Sequence, residues 1–153
     1  TVTAATSSSI SDGAAALVLA SESAARAKGL KPLARIVGYA SHAQEPEWFT
    51  TAPVGAIRRL LDRTGWKASE VDLYEINEAF AAVTMVATME LNLDPARVNV
   101  NGGACALGHP VGATGARILT TLVHALARRG QKRGIAALCI GGGEATAVAV
   151  EML

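Results

Sequence analysis

Aromatic residues are scarce in this sequence of 153 residues, where Phe, Trp and Tyr together make up 4%. Half of all residues are nonetheless hydrophobic, so the core must be built mainly from Ala, Val, Leu and Ile. No apolar run reaches the ~18 residues that a membrane-spanning helix needs. An excess of charge is also lacking, because the net charge is +1 and the basic residues are scattered. We therefore expect neither a membrane nor a nucleic acid as partner.

Cysteine is rare as well, with only Cys105 and Cys139, which lack the CxxC spacing. This usage is typical of free thiols in a reducing compartment. The chain starts at Thr1, and no basic segment leads into an apolar one near its start, so we expect no signal peptide and a cytoplasmic location. Cys105 and His109 are four residues apart, but no second pair completes a zinc site. We expect no metal.

Strand-like and helix-like segments alternate along the chain. Apolar runs and alternation predict strands over 12–21, 33–43, 71–77, 134–143 and 145–153. Caps and periodicity predict helices over 21–29, 53–65, 78–92 and 112–129. The helix over 78–92 is apolar on most sides and is expected to be buried. Glycines between the last two strands indicate a hairpin. This order predicts a mixed sheet covered by helices on both faces.

One histidine lies in a glycine-rich stretch, "NVNGGACALGHPVGATGAR" at 99–117. Pro110 marks a helix start, which places His109 at the N-terminal end of the helix over 112–129. The positive end of the helix dipole disfavours imidazolium there, and a neutral imidazole can accept a proton or donate to a carbonyl oxygen. The glycines would allow a ligand to approach closely. The alternative is a buried histidine satisfied by backbone hydrogen bonds.

Cys139, in "LCIGGG", is predicted near the end of a strand. Ligands collect at the strand ends of open α/β sheets, and the glycines at 141–143 leave backbone N–H groups accessible, as an oxyanion site requires. A free cysteine is also a common buried apolar residue, so a structural role stays open.

Two polar residues also have two interpretations each. Asn77 opens "NEAFA", where a strand gives way to a helix. Its amide either holds a water or a substrate oxygen, or it caps the helix. Ser8, within "TAATSSSISDGAAA", either hydrogen-bonds a ligand or ends a loop.

Taken in order, "NEAF", "NVNGGACALGHPVGATGAR" and "CIGGGEATA" resemble the C-terminal half of thiolases, the acetyl-CoA acetyltransferases. The opening "TVTAATSSSISDGAAALVL" is similar to the start of the same region in that family. The resemblance covers essentially the whole chain, and the run of the form GGA-x-ALGHP-x-GA-x-GAR is its most specific part. It implies an α/β fold with a five-stranded mixed sheet flanked by helices on both faces. It also assigns 1–8 to the tail of a preceding loop region and 9–153 to the thiolase C-terminal domain.

The resemblance implies acyl transfer between coenzyme A thioesters, with catalytic roles for His109, Cys139, Asn77 and Gly141. His109 would help to activate a nucleophilic cysteine and, with a water held by Asn77, form one oxyanion hole. Cys139 would be the general acid/base, removing the α-proton of acetyl-CoA in Claisen condensation or protonating the departing carbanion in thiolysis. The backbone N–H of Gly141 would contribute to the other oxyanion hole. The coenzyme A channel would be lined by Ala4, Ser8, Ala79 and Phe80. Coenzyme A thioesters enter as substrates, and no further cofactor is expected.

The family's nucleophilic cysteine belongs to the N-terminal half, which this chain does not contain. Cys105 stands where the family usually has an aliphatic residue, so a packing role is expected for it. We expect the chain alone to be inactive and to expose a large apolar face. Its expected partners are the missing N-terminal domain and further copies, in a dimer or tetramer. In "EPEWFTTAP" at 45–53, Trp48 and Phe49 replace a Met-Gly segment of many short-chain thiolases and are expected near the acyl pocket.

Two other functions compete with this interpretation. A related condensing enzyme such as a ketoacyl synthase would use His-His or His-Asn pairs, and the cysteine in "CIGGG" argues against it. A non-catalytic remnant that binds coenzyme A, or that acts as a scaffold in an acyltransferase complex, is the alternative outside the enzymes.

Overall fold

The structure, a computed structural model that describes residues 2–153, contains one mixed sheet with the strand order β1-β4-β3-β2. Its strands are β1 (Ala34–Ala43), β2 (Leu73–Ile76), β3 (Arg133–Ile140) and β4 (Glu144–Met152). Strand β4 is antiparallel to β1 and β3, whereas β2 is parallel to β3. The strands β1, β2 and β3 therefore run in one direction, and their carboxyl ends share one edge of the sheet.

Helices cover both faces of this sheet. The α-helices are α1 (Glu22–Ala27), α2 (Ala52–Thr64), α3 (Ala81–Glu90), α4 (Ala104–Leu107) and α5 (Thr114–Arg129). Short 3₁₀ turns lie at Ala4–Thr6, Pro46–Thr51, Ala68–Glu70, Pro95–Arg97 and Val111–Ala113. Helices α2 and α3 pack on one face and α5 packs on the other. The predicted α/β architecture with two covered faces is confirmed.

The core consists of two apolar layers, one on each face of the sheet. Ile57 and Leu60 of α2 pack with Tyr74 and Ile135 in the first layer. The second layer joins α5 to the opposite face through the buried side chains of Leu73, Ile118, Leu122, Leu126 and Val150. Ile118, Leu122 and Leu126 are four residues apart and therefore share one face of α5. This is the apolar spacing that predicted the helix over 112–129.

The expected fifth strand is absent from the part of the chain that the structure describes. The segment 12–21 has no regular secondary structure up to Ser21, and Val18 and Leu19 are 91% and 71% exposed. Composition predicted this strand, but a strand forms only where a neighbour pairs with it, and no part of 2–153 does so. Val98 makes a single bridge to Tyr74 beyond the edge of β2 and no full strand.

The helix predicted over 78–92 begins later and is less buried than expected. It starts at Ala81, and its exposed face carries Met85 and Met89, which are 61% and 77% exposed. Val83 and Ala87 on the opposite face are fully buried. An apolar composition on all sides predicted complete burial, but within 2–153 only one side of this helix meets a neighbour.

None of the helices within 2–153 combines the length and the apolar character needed to cross a bilayer. Thr1, the first residue of the predicted 1–8 segment, lies outside the described residues.

Candidate active site

The loops that follow β1 and β2 meet the turn after β3 at the carboxyl edge of the sheet. Beyond β1, the backbone N–H of Gln44 donates to the carbonyl of Gly143 over 3.1 Å. Beyond β2, the N–H of Asn77 donates to the carbonyl of Ala137 in β3 over 2.9 Å. Most of the candidate residues named from the sequence therefore gather at one edge of the molecule, where open α/β sheets commonly bind ligands.

His109 lies just before the first turns of α5, with its ring tied to that helix. Nδ1 is 3.2 Å from the hydroxyl of Thr114, which is also 3.2 Å from the carbonyl of Val111. When Nδ1 carries the ring hydrogen, Nδ1–H donates to the Thr114 hydroxyl oxygen. The single hydroxyl hydrogen is then donated to the carbonyl of Val111, which can only accept. In that arrangement the Nε2 lone pair is available to accept a proton.

Burial lowers the pKa of His109 below its ordinary 6.5, and the positive charge of Arg117 lowers it further. Both effects disfavour imidazolium, so the ring is neutral at pH 7. The sequence argument reached a neutral ring through the helix dipole, whereas the structure adds two causes that the sequence pattern did not reveal.

Asn77 is 2% exposed and does not cap a helix. Helix α3 begins at Ala81, with Phe80 in the cap position, which excludes the capping role left open above. The side-chain oxygen of Asn77 instead accepts a hydrogen bond from Nη2 of Arg117 over 2.9 Å. Sequence reasoning missed Arg117, whose only signal was its place at the end of the glycine-rich stretch.

Cys139, near the end of β3, is partly buried against the α2–α3 layer, as are Ala79 and Phe80. Burial raises the pKa of its thiol, and a backbone hydrogen bond offsets part of this effect. A thiol with its ordinary pKa of about 8.5 needs a modest downward shift to act as a base near neutral pH. The shift runs the other way, so the thiol keeps its proton at pH 7.

The segment 7–10 connects the Ala79–Phe80 pair to His109. Ser7 forms a bridge with Phe80, and the hydroxyl of Ser8 donates to the carbonyl of Ala79 over 2.9 Å. The next residue, Ser9, accepts a hydrogen bond from the backbone N–H of His109 over 2.9 Å. Consecutive Cα atoms lie 3.8 Å apart, so this segment brings His109 and the Ala79–Phe80 pair close together.

Other candidates lie at the margin of this arrangement. Ala4 is exposed in the first 3₁₀ turn. A Cβ added to Gly141 would meet nothing within 4 Å, so its backbone is open on that side. Trp48 is 57% exposed, whereas the ring of Phe49 meets the ring of Phe80 edge-on at 6.2 Å between centroids.

Two glycines near His109 are required by the protein's own packing. Gly108 has a φ of 93°, and a Cβ there would lie 2.4 Å from the hydroxyl of Ser11. A Cβ on Gly103 would lie 2.2 Å from the carboxyl carbon of Glu78, whose oxygen accepts the N–H of Cys105 over 3.1 Å. The sequence argument explained these glycines by ligand access, and the structure adds this close internal packing.

Within residues 2–153, no group of three or more His, Cys, Asp or Glu side chains is arranged to hold a metal ion.

The structure thus defines an α/β domain whose candidate acid–base and oxyanion residues gather at the carboxyl edge of a mixed sheet. Residues 30–152 match the family described as "Thiolase, C-terminal domain". The chain belongs to this family, which confirms the resemblance found in the sequence.

Named relatives agree with this assignment. The chain is 52% identical to mouse cytosolic acetyl-CoA acetyltransferase over 151 residues, which is 99% of the chain and 38% of that enzyme. It superposes on the crystal structure of Bacillus anthracis acetyl-CoA acetyltransferase with a TM-score of 0.97 at 51% identity, covering 99% of the chain and 39% of that structure. An Ascaris suum thiolase, solved in complex with coenzyme A, gives a TM-score of 0.90 at 44% identity, with 99% and 39% covered. The chain therefore spans less than two fifths of these relatives.

Proposed function

We propose that this chain supplies the acid–base and oxyanion half of an active site for acyl transfer between coenzyme A thioesters. The observation that supports the proposal most is that Asn77 is hydrogen-bonded to Arg117 of α5, the helix that His109 precedes, at the carboxyl edge of the sheet, where β3 with Cys139 also ends. Thiolysis of 3-ketoacyl-CoA and Claisen condensation of acetyl-CoA are the two directions of this reaction.

Each residue has a chemical property that suits its proposed role. The neutral ring of His109 takes the proton of a nucleophilic thiol at Nε2, and the resulting Nε2–H donates a hydrogen bond to the thioester oxygen while keeping the proton. The amide of Asn77 holds a water that donates to the same oxygen, and the N–H of Gly141 serves the second oxyanion hole. A well-placed oxyanion donor contributes about 3–4 kcal/mol to transition-state stabilisation.

Cys139 is the proposed general acid/base. Its raised pKa keeps the sulfur protonated at rest, which suits the protonation of a departing carbanion in thiolysis. In condensation, removal of the α-proton requires a thiolate whose formation is less favourable than in water.

The proposed coenzyme A channel runs along the segment 2–8 and the Ala79–Phe80 pair, with Ala4, Ser8, Ala79 and Phe80 as its lining. The contacts of Ser7 and Ser8 with that pair support this placement. The solved Ascaris suum relative is a coenzyme A complex, which supports the same ligand. We assign all proton transfers to side chains and require no resident cofactor.

The proposed partners are a region carrying the nucleophilic cysteine and further copies of the assembled protein. The chain exposes 8527 Å², about 1,200 Å² more than the ~7,300 Å² expected for a compact monomer of its mass. A standard interface buries about 800 Å² on each partner, so this excess is large enough for one docking surface. We propose a cytoplasmic location, in keeping with the mouse cytosolic relative.

A chimaera tests this function. The region of the Bacillus anthracis relative that precedes its matched segment is joined to this chain, and thiolysis of acetoacetyl-CoA is measured. The chimaera should be active, the chain alone inactive, and His109→Ala or Cys139→Ala should reduce kcat by about 100-fold or more. His124→Ala, on the exposed side of α5, is the matched control and should change little. A folded, inactive chimaera that still binds coenzyme A would favour the non-catalytic alternative.

A further inference from the structure

Arg117 is the one charged side chain within 2–153 that hydrogen-bonds a residue of the proposed site. It lies in the first turns of α5, and its Nη2 reaches Asn77, forty residues away in the chain, at 2.9 Å. None of the catalytic roles proposed above involves Arg117.

The direction of this hydrogen bond fixes the orientation of the Asn77 carboxamide. A guanidinium carries five N–H donors and no acceptor, so the amide oxygen must face Arg117. The –NH₂ group then faces away from Arg117. Within residues 2–153 it makes no hydrogen bond, so both of its hydrogens are available to a bound molecule.

Glu75 lies on the same side of the sheet as Asn77, because side chains two residues apart along a strand share one face. It is 2% exposed, its Oε1 is buried without a hydrogen-bond partner, and Nε of Arg117 is in the same condition. Arg117 is also the positive charge that acts on the Glu75 carboxyl. Within residues 2–153 the two side chains form neither a hydrogen bond nor an ion pair, so the Asn77 amide oxygen is the hydrogen-bond partner that holds the guanidinium.

We propose that Arg117 is a positioning residue that holds the Asn77 carboxamide with its –NH₂ donors towards the water that is proposed to bind the thioester oxygen. The inference rests on the proposed function for its catalytic consequence. An amide turned by 180° would accept a hydrogen from that water instead of donating to it, which would leave the water fewer hydrogens for the oxygen where negative charge develops.

Kinetics of the chimaera test the proposal through coupling between the two residues. Arg117→Met should lower kcat about 10- to 100-fold, the loss expected for a hydrogen bond to a charged group, with KM for acetoacetyl-CoA within about twofold. Arg117→Lys should restore part of the loss, because an ammonium also donates to Oδ1. In an Asn77→Ala background, Arg117→Met should cause no further loss. Equal losses in both backgrounds, or a change in KM alone, would overturn the proposal.

Asn77→Asp keeps an acceptor for Arg117 and removes both amide donors. It should therefore fold as the parent does, with kcat lowered about 100- to 1,000-fold. Near-parental kcat in this variant would contradict the proposed orientation. Arg129→Met, at the exposed C-terminal end of the same helix, is the matched control and should leave kcat unchanged.

A readout without catalysis separates this inference from the proposed function. In the ¹⁵N-labelled chimaera, Arg117→Met should shift or double the side-chain –NH₂ resonances of Asn77, because the amide loses its fixed orientation. Arg129→Met should leave them in place. Unchanged Asn77 resonances in Arg117→Met would overturn the positioning role, whereas an inactive parental chimaera would overturn the proposed function alone.

Discussion

Burial and a nearby guanidinium act together on the imidazole of His109, and they can be separated by one substitution. Arg117→Met removes the positive charge and leaves the burial largely in place. Because a positive neighbour disfavours imidazolium, the pKa of His109 should rise in this variant while staying below its ordinary 6.5.

The measurement is an NMR titration of the His109 ring protons in the chimaera. Arg128→Met, near the exposed end of α5, is the control and should leave the titration midpoint unchanged. A midpoint that fails to rise in Arg117→Met would show that the guanidinium does not act on this ring.

The buried carboxyl of Glu75 makes stability depend on pH. Burial raises its pKa from 4.5 to about 7, so the folded chain binds this proton more tightly than the unfolded chain does. The contribution of Glu75 to the free energy of unfolding is fully favourable below pH 4.5 and is lost as the pH rises to about 7. This loss amounts to about 3 kcal/mol. Glu75→Gln carries no titrating proton and should therefore remove this decrease in the free energy of unfolding.

Urea unfolding at pH 5 and pH 8 measures the effect as a difference in the free energy of unfolding. The exposed Glu47→Gln is the control and should reproduce the pH dependence of the parent chain. Equal pH dependence in Glu75→Gln and the parent would contradict the raised pKa.

At the scale of elements, the short helix α4 depends on a glycine that precedes it. A methyl group on Gly103 would collide with the Glu78 carboxyl and displace it from the N–H of Cys105. Gly103→Ala should therefore destabilise the chain by about 1–3 kcal/mol, because the end of the flexible Glu78 side chain moves away and the hydrogen bond from the Cys105 N–H to a charged acceptor is lost. Gly112→Ala, where the added methyl meets nothing within 4 Å, should stay within about 0.5 kcal/mol of the parent. Chemical denaturation of both variants measures their free energies of unfolding. Equal values would contradict the predicted collision at Gly103.

The 3₁₀ turn at Pro46–Thr51 carries the expected wall of the acyl pocket. Phe49 is partly buried against Phe80, whereas Trp48 points largely into solvent. In the chimaera, Phe49→Ala should raise activity on longer 3-ketoacyl-CoA substrates relative to acetoacetyl-CoA, since it removes bulk beside the proposed channel. Tyr39→Ala, an exposed aromatic on β1, is the control. An unchanged preference for acyl chain length in Phe49→Ala would show that Phe49 does not line the acyl pocket.

Elements defined by local signals were predictable from the sequence. Pro110 and the apolar spacing located α5, and the glycines at 141–143 located the β3–β4 hairpin. The site residue Arg117 was not predictable, because its contact with Asn77 depends on how α5 packs across β2. The strand predicted over 12–21 was wrong for a related reason, since a strand requires a neighbour that composition cannot supply.

For the whole molecule, exposed apolar surface predicts association. Val18 and Leu19 lie on one exposed segment, and Met85 and Met89 form the uncovered face of α3. Light scattering over a concentration series should show the isolated chain as oligomers or aggregates. Met85→Lys together with Met89→Lys should reduce this association, and Leu30→Lys, a single exposed apolar residue outside these surfaces, should not. A monodisperse monomer of the parent chain would contradict the expectation.

The strand order has a consequence for synthesis on the ribosome. Strand β4 is the last of the four to be translated, yet it lies between β1 and β3. A nascent chain that ends before Glu144 cannot join β1 to the rest of the sheet, because β1 and β3 do not touch each other. Sheet closure must therefore wait until residues 144–152 have left the exit tunnel, and until then the hydrogen-bonding edge of β1 is open to other chains.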